Sequence, residues 1–179
     1  TEYTLNPHLY GRLRKGKVRI VSTIDGKIRE SSVRPADPKE LPYLFLNFSN
    51  NLRDRTSKIS SLSPVREVLD TASWAHIELI RLHPFLDGNG RTARLLVDSI
   101  FERARYLPYI TDWGSKDREY IETVYSTYAK KDPGIFKLLL AQKLLKSLGE
   151  LEDEGLAEDV FPLKTDVLQY ISDLKTKQT

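Results

Sequence analysis

The sequence contains neither cysteine nor methionine among its 179 residues. Without cysteine, disulfide bonds, thiol nucleophiles and cysteine-ligated zinc are excluded, and a reducing compartment is favoured. The three histidines (His8, His76 and His83) are too few and too scattered to predict a histidine-built metal site. No run approaches the roughly 20 apolar residues of a membrane-spanning helix, and no signal-peptide pattern opens the chain. Because the chain starts at Thr1 without methionine, we expect a trimmed piece.

The chain also lacks a strong excess of either charge. Its 28 lysines and arginines nearly balance its 25 acidic residues, which leaves a net charge of +3. This excess is too small to indicate nucleic-acid binding. One local exception is residues 10–19, which hold five basic and no acidic side chains: Arg12, Arg14, Lys15, Lys17 and Arg19. A solvated basic surface is the favoured interpretation, and an arm that binds an anion or nucleic acid is the alternative.

The periodicity predicts a mainly α-helical bundle with one β-hairpin. β-Branched residues on both sides of Asp25-Gly26, over residues 18–33, predict the hairpin, since Asp-Gly suits a two-residue type I′ turn. Apolar residues at three- and four-residue steps predict the helices. These span about 38–55, 64–82, 91–106, 116–129, 133–149 and 163–174. We expect one domain over 1–149, followed by an acidic linker (150–159) and a C-terminal helix within 150–179.

One stretch departs from the helical pattern, the segment from His83 to Arg94 (HPFLDGNGRTAR). Its Gly-Asn-Gly run (88–90) can turn successive backbone N–H groups toward one point and leads into a helix N-terminus, which favours an anion. Arg91 and Arg94 lie three residues apart on that helix and can reach the same polyanion. These features predict a di- or triphosphate site.

Two side chains add chemistry to this phosphate site. Asp87 is a lone carboxylate beside the expected phosphates, the usual way in which proteins hold Mg²⁺. His83 follows the preceding helix and can accept a hydroxyl proton at neutral pH. Each feature alone is common in surface loops, but the whole pattern would arise by chance with a probability on the order of 10⁻⁸. A phosphate-transfer site is therefore predicted.

The segment resembles the signature of the Fic (filamentation induced by cAMP) family, and the order of hairpin, helix, loop and helix over roughly residues 10–145 resembles the Fic core. The resemblance implies a nucleotidyltransferase that moves AMP from ATP to a tyrosine, threonine or serine hydroxyl of a target protein and releases pyrophosphate. It also implies that His83 is the base and Asp87 holds Mg²⁺. The implied nucleotide-binding residues are Gly88, Asn89, Gly90, Arg91 and Arg94.

Further expectations follow from the same resemblance. The hairpin corresponds to the family's flap, which aligns the target by strand pairing, here through Val21, Ser22, Thr23 and Ile24. Tyr120 is a candidate for the adenine pocket. The second glycine of the run, Gly90, is a lysine in the relatives that act as kinases, so AMP transfer is favoured. Transfer of UMP or phosphocholine, removal of AMP, and a non-catalytic nucleotide-binding module are the alternatives.

A family inhibitory helix of the form [S/T]-x-x-x-E-[G/N] is not found. The only Glu followed by Gly or Asn is Glu154-Gly155, and Glu150 stands where Ser or Thr is required. We therefore expect no inhibitory segment in this chain, and a separate antitoxin-like protein as a possible partner. His76 lies seven residues before His83, and a helix histidine with its hydrogen bonds satisfied is favoured over a catalytic or metal-binding one. A bacterial cytoplasmic protein, or one delivered into a host cytosol, is expected, with no membrane partner and no nucleic acid.

Overall fold

The structure is a computed structural model that describes residues 11–24, 27–31, 33–106, 118–153 and 157–177. Within these ranges the chain is mainly α-helical, as predicted, with one two-stranded antiparallel sheet. No helix among the described residues is long and apolar enough to cross a membrane. The elements are β1 (Val21–Ile24), β2 (Lys27–Glu30), α1 (Leu41–Ser57), α2 (Val65–Leu82), α3 (Asn89–Arg103), α4 (Arg118–Lys130), α5 (Pro133–Asp153) and α6 (Ala157–Thr176).

Helix α2 is the centre of the bundle, and α1, α3, α5 and α6 all pack against it. The sequence predicts this, because apolar residues occur around most of its circumference. Eleven of its 18 residues are buried, so no wide polar face is left for solvent. The fully buried side chains of the core include Leu69 and Leu79 of α2, Ile100 and Phe101 of α3, and Phe136 and Leu140 of α5.

The hairpin forms where the Asp-Gly signal predicts it. Strands β1 and β2 pair antiparallel in a register that joins Val21 to Glu30 and Ile24 to Lys27, which leaves two residues for the turn. The turn itself, 25–26, lies outside the described residues. A further backbone bond from the Ser31 N–H to the Ile20 carbonyl (2.8 Å) extends the pairing at the base of the hairpin.

The predicted acidic linker over 150–159 is wrong at both ends. Helix α5 continues to Asp153, past the expected boundary at 149, and α6 already begins at Ala157. Helix α6 then packs against α2 and α5 and contributes buried side chains such as Val167 and Tyr170 to the core. The physical reason is that Glu and Leu are good helix formers and that tertiary packing, which supplies most helical stability, outweighs the lower helix propensity of Asp.

Candidate active site

His83 caps the C-terminus of α2 in a left-handed conformation (φ 48°, ψ 57°). Its own N–H still bonds to the Leu79 carbonyl at 2.9 Å, and Pro84 then prevents continuation of the helix. A left-handed conformation in a residue with a Cβ costs about 1–2 kcal/mol, and such strain is concentrated at functional sites. The imidazole is therefore presented from a strained helix terminus.

The loop after His83 is closed by the buried side chain of Asn89. Its Oδ1 accepts the Phe85 N–H at 2.9 Å, and its Nδ2 donates to the Phe85 carbonyl at 2.8 Å. The Phe85 ring packs edge-to-face on Phe45 of α1, with 6.1 Å between ring centroids. These contacts fix the path from α2 to α3. The predicted phosphate role of Asn89 therefore falls to its backbone N–H, because its side chain is committed to the loop.

Helix α3 begins with unpaired backbone donors. The first intrahelical bond runs from the Thr92 N–H to the carbonyl of Gly88 (2.8 Å), so the amides of Asn89, Gly90 and Arg91 precede it. No described residue accepts a hydrogen bond from these three amides. Gly88 has φ +83°, and its amide donates to Asp87 Oδ1 at 2.6 Å. Three amides at a helix N-terminus without a described acceptor can donate to an anion.

Charged side chains surround these amides. Arg91 Nη2 lies 3.0 Å from Asp87 Oδ2, and both groups are more than half exposed. The Arg94 guanidinium lies over the Tyr120 ring, 5.5 Å from its centroid, and makes no ion pair with a carboxylate among the described residues. Arg19, at the base of the hairpin, adds a third arginine to the same region. These arginines can therefore pair with a multiply charged anion.

Tyr120 and His76 form a buried layer beneath Arg94. The Tyr120 hydroxyl and His76 Nε2 are 2.9 Å apart, and the His76 ring stacks on Phe136 with centroids 4.2 Å apart. Burial, together with the nearby positive charge of Arg94, lowers the pKa of His76 to about 3, so the ring is neutral. His76 lies on helix α2 with its side chain in the core, where it also supports the tyrosine under Arg94.

His83 is also neutral at physiological pH. Burial lowers its pKa to about 4, and the positive charge of Arg14 acts in the same direction. The Ile80 backbone carbonyl and the Asp87 carboxylate raise this pKa, but by less. Nδ1 is buried without a hydrogen bond to a described residue. A neutral imidazole is the form that can accept a proton.

One cavity of about 450 Å³ brings these groups together. This volume is within the usual range for small-molecule sites. Its walls come from the hairpin, the end of α2, the loop, the start of α3 and helix α4. Among the predicted site residues, the lining includes Val21, His83, Asp87, Gly88, Asn89, Gly90, Arg91, Arg94 and Tyr120. The side chains of Ser22, Thr23 and Ile24, the other predicted flap residues, lie outside the described set.

Arg14 does not lie on the predicted solvated basic surface. It is 3% exposed and bonds to backbone carbonyls, which excludes it from an arm that contacts an anion or nucleic acid. No sequence signal could identify this role, since the bonded groups are main-chain carbonyls. The adjacent Arg12, Lys15 and Lys17 are exposed, as predicted.

Comparison with known proteins decides the family. The sequence model of the Fic/DOC family matches residues 3–101, more than half of the chain. The chain belongs to the Fic/DOC family. The Fic match includes the hairpin, the two helices α1 and α2, the loop and most of α3, so all groups at the α3 N-terminus lie within it.

Named relatives match a shorter region. The chain is 40% identical over 86 residues to the "Protein adenylyltransferase Fic" of Drosophila persimilis and to that of Drosophila willistoni. It is 38% identical over 86 residues to the one of Drosophila erecta. In each case the match covers 48% of this chain and 16% of the relative. The chain therefore spans only a small part of the length of these relatives.

Proposed function

We propose that this chain is a protein adenylyltransferase, which moves AMP from ATP to a hydroxyl side chain of another protein. The Fic family and the name of the similar proteins support a transferase of this kind. The single observation that carries the proposal is the shared cavity. It brings the His83 imidazole together with three helix amides that have no described acceptor and with Arg94, which pairs with no described carboxylate.

The proposed reaction needs a base on one side and charge stabilisation on the other. His83 Nε2 accepts the proton of the target hydroxyl, whose oxygen forms a bond to the α-phosphorus of ATP. The bond from that phosphorus to the oxygen bridging to the β-phosphate breaks, and pyrophosphate leaves. The negative phosphates beside His83 raise its pKa from about 4 toward neutrality, so the base becomes stronger when ATP binds.

The phosphates would be held by main-chain and side-chain donors. The amides of Asn89, Gly90 and Arg91 can donate to phosphate oxygens, and the positive end of the α3 dipole adds to the attraction. Arg91 and Arg94 would pair with the β- and γ-phosphates. This binding requires little reorganisation, because the amides make no other bond to a described residue and the Arg91–Asp87 pair is exposed and weak.

The donor set at Asp87 fits magnesium. No cluster of three or more metal-ligating side chains exists among the described residues, so a cation would take one protein carboxylate and complete its shell with phosphate oxygens and water. Mg²⁺ is usually bound in this way. When bound, the cation would neutralise charge on the phosphates as pyrophosphate departs. Asp87 would hold it once Arg91 moves from the carboxylate to the nucleotide.

The protein substrate would dock on the hairpin. Val21 is exposed and lines the cavity, so β1 (Val21–Ile24) borders the site of reaction. A two-stranded sheet has outer edges with free N–H and C=O groups, and an extended target segment can pair with such an edge. Pairing there would deliver a side-chain hydroxyl to His83. This flap role and an adenine contact at Tyr120 are parts of the same proposal.

We also propose that inhibition of this activity comes from a group outside the described residues. Arg94 makes no ion pair with a described carboxylate. The Glu154-Gly155 sequence lies in a segment outside the described set. An inhibitory protein that places a glutamate on Arg94 would displace the γ-phosphate, since both groups would compete for the same guanidinium.

The test compares the wild-type chain with His83→Ala. Labelled ATP and a cell lysate should give labelled protein with the wild type and none with the variant. Calorimetric titration should show that the variant binds a non-hydrolysable ATP analogue as tightly as the wild type, because the amides and arginines are unchanged. Equal labelling by both proteins would refute the role of His83. Consumption of ATP without protein labelling would refute protein substrates.

A further inference from the structure

Arg14 is the one arginine among the described residues that is almost fully buried, at 3% exposure. Its side chain makes four hydrogen bonds, all to main-chain carbonyls. Nη1 donates to Gly16 at 2.8 Å, and Nη2 donates to Ala36 at 2.6 Å, on the two sides of the hairpin. The bonds link the segments that enter and leave the hairpin, so Arg14 holds both ends of the flap.

The same side chain also reaches the end of α2. Nε donates to the His83 carbonyl at 2.6 Å, and Nη2 contacts the Leu82 carbonyl at 3.3 Å. The backbone N–H of Arg14 donates to the Pro84 carbonyl at 2.8 Å. Three consecutive carbonyls therefore accept hydrogen bonds from one residue. The last carbonyls of a helix have no intrahelical donor, so these bonds satisfy groups that the end of α2 leaves unpaired.

We propose that Arg14 is a positioning residue, which fixes the backbone of His83 in its left-handed conformation and so aims the imidazole at the α3 N-terminus. The inference rests on the proposed function, because it assigns Arg14 an effect on the transfer step. Arg14 itself does not line the cavity and does not touch the nucleotide site.

The geometry explains why arginine is required. His83 has φ 48°, a value that residues with a Cβ rarely adopt, and the following proline supplies no N–H to close the helix end. A guanidinium carries five donors in a planar fork and can bond several carbonyls at fixed angles. A lysine ammonium keeps the charge but lacks the fork. Without the fork, His83 can relax toward negative φ, which turns its ring relative to Gly90 and Arg94.

The first experiment compares wild type, Arg14→Lys and the matched control Arg12→Lys, which changes an exposed arginine two residues away. For Arg14→Lys we expect kcat for protein labelling to fall at least tenfold, while KM for ATP and the calorimetric affinity for an ATP analogue stay within twofold. The control should retain the wild-type values. An unchanged kcat in Arg14→Lys, or a loss confined to KM, would overturn the proposal. Failure of Arg14→Lys and of a second variant, Arg14→Gln, to fold would also overturn it, because Arg14 would then maintain the whole fold.

The second experiment does not depend on activity. The one-bond Cα–Hα coupling of His83, measured by NMR, distinguishes positive from negative φ. We expect the positive-φ value in the wild type and in Arg12→Lys, and a shift toward the negative-φ value in Arg14→Lys. An identical coupling in Arg14→Lys would refute the positioning role, even if kcat falls. If the wild type transfers no AMP but the coupling shifts as expected, the proposed function fails while the structural effect of Arg14 stands.

Discussion

The left-handed conformation of His83 predicts a stability difference between two inactive variants. His83→Gly and His83→Ala both remove the imidazole and its buried contacts, and they differ only in the Cβ. At φ 48° the Cβ costs about 1–2 kcal/mol, which glycine avoids. Glycine loses about 0.4–1 kcal/mol of this advantage through the greater entropy of its unfolded chain. The glycine variant should therefore be more stable by roughly 0.5–1 kcal/mol.

Thermal unfolding followed by circular dichroism measures this difference. For a chain of this size, 1 kcal/mol changes Tm by about 2–4 °C, so the glycine variant should melt about 2 °C above the alanine variant. Both variants should show no protein labelling. Two controls test the reasoning. At Lys131, which is exposed and has φ 53°, the glycine variant should again be more stable than the alanine variant. At the exposed mid-helix Asn50 the alanine variant should be the more stable of the two. An alanine variant at His83 as stable as the glycine variant would refute the strain argument.

Three further predictions concern the groups around the nucleotide cavity. In Gly90→Ala the new Cβ would lie 3.4 Å from Arg94 Nη1, so KM for ATP should rise several-fold in labelling kinetics. The free energy of unfolding in urea should increase by about 0.4–1 kcal/mol, because alanine has less conformational entropy in the unfolded chain. A fall in stability with an unchanged KM would contradict this prediction. Tyr120→Phe removes the 2.9 Å bond to His76 and should lower the free energy of unfolding by about 1–3 kcal/mol in urea titrations; an unchanged midpoint would show that the bond contributes nothing. The pKa values of His76 and His83 are lowered by burial to about 3 and about 4, so between pH 6.5 and 5 the unfolded state binds more protons and stability falls by about 1.4 kcal/mol per pH unit for each histidine. His83→Ala should roughly halve that slope, and a flat profile over this range would show that neither histidine is buried as described.

Much of the fold is readable from local patterns. The Asp25-Gly26 signal predicts the hairpin, because the turn chemistry and the flanking β-branched residues agree. The apolar circumference of α2 predicts its central position, since such a helix cannot face solvent. The segment from His83 to Arg94 predicts that its imidazole and its glycine amides lie close together, because a short loop joins the two helices. In each case the determining interactions are local in sequence.

The features that the sequence does not reveal depend on contacts between distant residues. Arg14 bonds to carbonyls as far away as His83, and every residue type presents the same carbonyl. Ser63, which lies just before α2, accepts the Ser60 N–H at 3.0 Å, and the helix begins without a side-chain cap. Helix α5 continues past Gly149 to Asp153 because it is already packed on α2 and α4. Tertiary packing decides these outcomes and local propensity does not.

We propose that this cavity transfers AMP to a protein hydroxyl through His83. Mass spectrometry of an acceptor protein after incubation with ATP and magnesium tests this proposal most directly. The acceptor should gain the mass of one AMP group on a tyrosine, threonine or serine, and His83→Ala should give no such product. An added phosphate or phosphocholine in place of AMP, or modification that persists in the alanine variant, would contradict it.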